Sequence, residues 1–143
     1  MLEAKMKFYK ILLACGFIIS TCQAYEDINA TLVSVYDGDT FKVNIKNYPA
    51  IVGEKVSIRV NGIDTPEIYG KCQKEKELAK SARDAAKELL ACGNIILLNP
   101  KRDKYFRIVA DVSACGINLS DALLKRSLAV PYDGGKKTKD WCK

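Results

Sequence analysis

Histidine is absent from all 143 residues. That absence excludes serine–histidine and cysteine–histidine nucleophiles and histidine-based nucleases and metalloproteases, so acid–base chemistry must use carboxylate, lysine, tyrosine or metal-bound water. No Cys-x-x-Cys pair occurs either, which together with the missing imidazole argues against a zinc site. No apolar run approaches the roughly 20 residues that span a bilayer. Internal repeats and low-complexity segments are also lacking, and the length accommodates one compact domain, so one site must explain the function.

What is present begins with an uneven N-terminus. Lys5, Lys7 and Lys10 precede an apolar run from Ile11 to Ile19 that ends in Ser20-Thr21-Cys22-Gln23-Ala24. This is the layout of a signal peptide, with cleavage expected after Ala24 and a mature domain over residues 25–143 in the periplasm or outside the cell. Lipid attachment fits less well, because only a short apolar stretch precedes Cys15 and Cys22 follows Thr21. Without residues 1–24 the chain keeps 20 basic and 16 acidic residues, a mildly basic balance compatible with a polyanionic partner but not requiring one. It also keeps Cys72, Cys92, Cys115 and Cys142, an even number that reads as two disulfides in an exported protein.

Hydrophobic periodicity places the elements. From Thr31, Val33 and Val35 alternate with polar residues, Asp37-Gly38 signals a hairpin turn, and Phe41, Val43 and Ile45 alternate again. After a connection from Tyr48 to Gly53, Val56, Ile58 and Val60 form the apolar face of a third strand, which aims Arg59 away from it. From Glu75 to Leu90 the period becomes helical, with Leu78, Ala82, Ala85 and Leu89 on one side, lysines and Arg83 on the others, and Gly93 as a stop. Strands are expected at Asn94–Leu98 and Phe106–Ser113, joined by a polar segment, and a short helix capped by Asn118 carries Leu119, Leu123 and Leu124. The residues from Tyr132 onward have no periodicity. Five strands and two helices predict a mainly β domain, a small barrel of the oligonucleotide-binding (OB-fold-like) kind.

Three segments carry chemistry: Asp37-Gly38-Asp39-Thr40, then Arg59 five residues ahead of Asp64-Thr65-Pro66-Glu67, then Asp103-Lys104-Tyr105-Phe106-Arg107. Each alone has an ordinary structural reading as a turn, a helix entry or a strand edge. In this order and spacing, over Thr31 to Tyr132, they resemble the staphylococcal nuclease (thermonuclease) family. The resemblance implies a Ca²⁺-dependent nuclease acting on DNA or RNA with low sequence specificity and leaving 3′-phosphate ends, with a staphylococcal-nuclease-like barrel and no stable protein partner, as a monomer. It implies that Asp39, Asp64 and the Thr65 carbonyl hold calcium, a hard ion suited to oxygen ligands. Asp37 is read as closing the turn. Glu67 matches the carboxylate proposed to act on the attacking water, and Arg59 and Arg107 match the guanidinium groups that stabilise the transition state, where a planar fork donates to phosphate oxygens at any working pH. Lys104 and Tyr105 match residues near a neighbouring phosphate, and Tyr132 an aromatic lying against the nucleotide.

Matching the two late strands to the family's hairpin sets Cys92 across from Cys115, which leaves Cys72 for Cys142 and pins the tail beside the site. The sequence departs from the family at Phe106, where a glycine is usual before the second arginine, in a shorter segment after Glu67, and in the expected lack of a C-terminal helix. The alternative reading is a module of the same fold that binds nucleic acid with little catalysis, and the complete set of catalytic positions favours the enzyme.

Overall fold

The computed structural model describes residues 26–143, so the signal-peptide expectation lies outside the described residues. Strand β1 (Ile28–Val35) pairs antiparallel with β2 (Thr40–Ile45), which pairs antiparallel with β3 (Val56–Val60). On its other edge β1 pairs with β5 (Ile95–Arg102), and β5 with β6 (Ile108–Ala114), both antiparallel. The circle closes where β3 and β6 run parallel, Ile58 opposite Ile108. The result is a closed five-stranded mixed barrel, as the alternating strands imply.

Smaller elements complete it: β7 (Ile117–Asn118) continues beside β6, and β4 (Ile63–Asp64) pairs with β8 (Val130–Pro131) in a separate ribbon. Among the described residues there are three helices rather than two, because the Tyr48–Gly53 connection contains the short α1 (Ala50–Gly53) in addition to α2 (Gln73–Leu90) and α3 (Leu119–Lys125). Helix α1 was illegible in the sequence because Ile51 and Val52 are exposed and leave no apolar stripe. No helix follows α3 among the described residues, and none there is long and apolar enough to cross a membrane.

The core is lined by Phe41, Val43, Ile58, Val60, Leu97 and Val112, each no more than 1% exposed. Helix α2 lies over one end of the barrel through Ala79, Ala82, Ala86 and Leu90, whereas Leu78 and Leu89 flank the contact half-buried. Alanines permit a close approach. A Cβ on Gly38 would come within 2.9 Å of the Ala82 Cβ and 2.8 Å of the Thr65 Cγ2, so Gly38 is glycine because its turn is pressed against the helix and the Asp64-Thr65 segment, and not for a positive φ.

Two strand expectations change. Val33 does not share a face with Val35, because the β1–β2 register shifts between Leu32 and Ser34 and leaves Val33 41% exposed; a bulge inverts the alternation beyond it. Strand β5 continues to Arg102 past a second irregularity, and β6 starts at Ile108 rather than Phe106, so the expected polar loop shrinks to residues 103–107.

The disulfides join Cys92 to Cys115 and Cys72 to Cys142, with Cα atoms 6.3 and 6.0 Å apart. The hairpin register differs from the expectation: Ile95 opposes Ala114 and the Cys115 N–H donates to the Asn94 carbonyl. Cys92 therefore lies ahead of the ladder, and the chain turns back to the strand through Gly93, whose φ is +87°.

Candidate active site

The β1–β2 turn and the Asp64-Thr65 segment meet where the barrel touches α2. Asp39, 1% exposed, accepts from the Arg59 Nη1, from the Thr65 N–H at 2.9 Å and from the Thr40 hydroxyl at 3.0 Å. Asp64, 3% exposed, faces the Arg59 Nη2 at 3.4 Å and the Lys137 Nζ at 2.8 Å. Asp37 accepts from the Asp39 N–H at 3.1 Å, the turn-closing role expected of it. It is also buried, and burial followed by the Asp39 charge raises its pKa to about 7. Beside them the Thr65 hydroxyl is buried without a hydrogen-bond partner. These buried carboxylates and the orphaned hydroxyl offer oxygen donors of the type a hard divalent cation takes and a thiolate-preferring one does not, although the three carboxylates do not converge on one point in this arrangement of side chains.

Arg59 rises from β3 into this cluster, its side chain 12% exposed. Burial alone would lower its pKa, but Asp39, Asp64 and Asp37 outweigh it and hold the guanidinium above its ordinary value. Its Nη2 also donates to the Ile63 carbonyl at 3.2 Å. Three of its five N–H directions are thus spent on protein acceptors, and two remain for the groove outside.

That groove, about 680 Å³, runs past Asp37, Arg59, Glu67, Lys104, Tyr105 and Arg107 to Tyr132. The structure therefore brings the two arginines, Glu67 and the substrate-side residues expected from the sequence onto one surface, with Asp39, Asp64 and Thr65 buried behind it. Tyr132 packs its ring 5.9 Å from the Arg59 guanidinium and donates its hydroxyl to the Gly135 carbonyl at 2.7 Å.

The 103–107 loop is organised by Asp103, which accepts from the Tyr105 and Arg107 N–H groups at 2.8 and 3.0 Å and from the Arg107 Nε at 2.8 Å. Burial pushes the Asp103 carboxyl up, but these donors prevail and lower its pKa. Holding Arg107 by Nε leaves both its terminal nitrogens for the groove. Phe106, where the family has glycine, adopts the left-handed φ of +63° with its ring 81% exposed, so the turn keeps the glycine geometry at a strain cost. Phe106→Gly is expected to leave cleavage unchanged and raise stability by about 0.5–1 kcal/mol, read from urea unfolding midpoints; a loss of stability would show the ring to be packed.

Two residues of the site were not foreseen. Lys137, in the aperiodic tail, contacts Glu67 at 2.5 Å as well as Asp64, and these carboxylates raise its pKa against the opposing effect of burial. Glu75, buried in the first turn of α2, accepts from the Lys71 N–H at 2.7 Å and the Glu67 N–H at 3.5 Å and so braces the loop that presents Glu67. Gly70 makes room for it, since a Cβ there would lie 2.4 Å from the Glu75 carboxyl carbon. Lys137 gave no local signal beyond the nearby Cys142, and Glu75 was one charge among many on a charged helix.

Residues 57–141 match the family described as staphylococcal nuclease homologue. The chain is 35% identical over 105 residues to endonuclease YncB of Bacillus subtilis (strain 168), covering 71% of this chain and 47% of that one. An uncharacterized protein of Bacillus anthracis is 29% identical over 108 residues, with 73% and 48% covered. An uncharacterized endonuclease of Escherichia coli is 30% identical over 118 residues, with 82% and 69% covered. The chain thus spans about half the length of the two Bacillus relatives.

Proposed function

The chain belongs to the staphylococcal nuclease homologue family, and from that premise we propose that it is an exported, calcium-dependent nuclease hydrolysing phosphodiester bonds in DNA or RNA. The observation that carries this reading is the convergence of Arg59, Arg107 and Glu67 on one groove backed by buried carboxylates. The endonuclease names of relatives support it, and the leader pattern and paired cysteines support export. A purely structural cation site has no use for two arginines, which repel the ion.

Calcium held by Asp39, Asp64 and the Thr65 carbonyl would supply positive charge beside the phosphate and ease deprotonation of water there. The remaining work falls to side chains. Glu67 accepts the proton of the attacking water as its oxygen bonds to phosphorus. The free donors of Arg59 and Arg107 take up the charge that grows on the phosphate oxygens. The 5′ oxygen leaves with a proton from solvent, and the product retains a 3′ phosphate. Lys104, Tyr105 and Tyr132 hold flanking phosphate and base through charge and stacking, which tolerate any sequence.

Purified protein should cut plasmid DNA with calcium and lose the activity in excess chelator. Undiminished cutting in chelator overturns the calcium requirement, and binding without cutting under any divalent ion favours the binding-module alternative.

A further inference from the structure

The tail from Asp133 to Cys142 has no regular structure, yet it is held at both ends. At one end the Tyr132 N–H donates to the Gly62 carbonyl at 2.9 Å and its hydroxyl ties Gly135; at the other, Cys142 is bonded to Cys72 and Trp141 is 92% buried. Between these anchors the tail delivers Lys137 to the site, its ammonium 2.8 Å from the Asp64 Oδ1 and 2.5 Å from the Glu67 Oε1. The neighbouring Lys136 is exposed.

We propose that Lys137 is a tethered cation of the active site, which holds Asp64 and Glu67 together and which a divalent ion must displace from Asp64 in order to bind. This rests on the metal site of the proposed function. Asp39 has Arg59 and Thr40 on Oδ1 and the Thr65 N–H on Oδ2, which leaves it one acceptor direction for an ion, and Arg59 is fixed by three acceptors, so Asp64 is the carboxylate whose partner must move. An ammonium and a divalent ion on one carboxylate oxygen repel each other, so each weakens the binding of the other by the same factor. Because the Lys137 side chain is 44% exposed, solvent screens the pair, and the factor is expected to be about tenfold, near the low end of coupling between sites. Once displaced, the ammonium is still tethered in the groove, where it adds a third positive group for the phosphate.

Calorimetric titration of the full mature chain with calcium tests this without substrate. Lys137→Met should bind calcium about tenfold more tightly than the parent, while Lys136→Met, which removes the same net charge without the contact, should bind as the parent does. In chelator Lys137→Met should melt below the parent, with the gap narrowing at saturating calcium, a pattern that a general folding defect does not give. Equal affinity of parent and Lys137→Met, or an equal gain in Lys136→Met, overturns the role of Lys137 and leaves the metal site standing. Absence of binding by every variant to calcium, manganese and magnesium overturns both.

Discussion

Arg59→Lys is expected to lower the cleavage rate by about a hundredfold or more, the scale of losing a preorganised transition-state donor. The structure makes the cost larger than a change of phosphate contact alone. Arg59 links Asp39, Asp64 and the Ile63 carbonyl from within a site only 12% exposed on its side chain, and still has two donors for the groove. A lysine ammonium offers three donors around one point and no planar fork, so it cannot serve both sets. Because Asp39 and Asp64 stay buried when one donor is lost, part of the effect will appear as lowered stability. Glu67→Gln separates the two: its side chain is 47% exposed, so the fold should hold while cleavage falls on a similar scale. Initial rates on plasmid DNA beside thermal melts measure both, and near-parent rates in the two variants would make Arg59 and Glu67 structural.

The second large effect is expected from the tail. The Cys72–Cys142 bridge closes a separation of 70 residues and Cys92–Cys115 one of 23. On chain entropy these correspond to about 4 and about 3 kcal/mol of stabilisation. Cys72→Ser/Cys142→Ser is therefore expected to cost more in urea unfolding than Cys92→Ser/Cys115→Ser. It should also have a local consequence the other pair lacks, because releasing Cys142 loosens the segment that carries Lys137 onto Asp64 and Glu67 and begins at Tyr132. A greater loss from the 92–115 pair would mean that strain or residual structure in the unfolded chain, and not loop length, decides the order.

How much of this was legible follows from what each feature depends on. Strands β2 and β3 were readable because Phe41, Val43, Ile58 and Val60 alternate with polar residues and are buried as that alternation demands. Strand β1 misled beyond Leu32, since a bulge is settled by the partner strand and leaves no mark in its own sequence. Helix α2 was legible in extent to within two residues, while its contact face sits on Ala79 and Ala86 rather than on the flanking leucines. At Ala82, which the sequence did place on the apolar side, only the packing distance to Gly38 shows why the residue must be small.

The site divides in the same way. Residue type and local spacing determined strands β2 and β3, the cap at Asn118 and the even set of cysteines, because backbone alternation, turn chemistry and capping are properties of a few consecutive residues, whereas the roles of the carboxylates and arginines came from the resemblance of their motifs, taken in order, to the family. Tertiary structure alone decided that Arg59 spends three donors on its own carboxylates, that Glu75 braces the loop of Glu67 from within α2, and that an aperiodic tail sets Lys137 on Asp64, 73 positions earlier in the chain. Those contacts join segments whose separation is bridged only when the barrel closes and the Cys72–Cys142 bond fixes the tail, and no local preference of the chain encodes which distant charge will arrive.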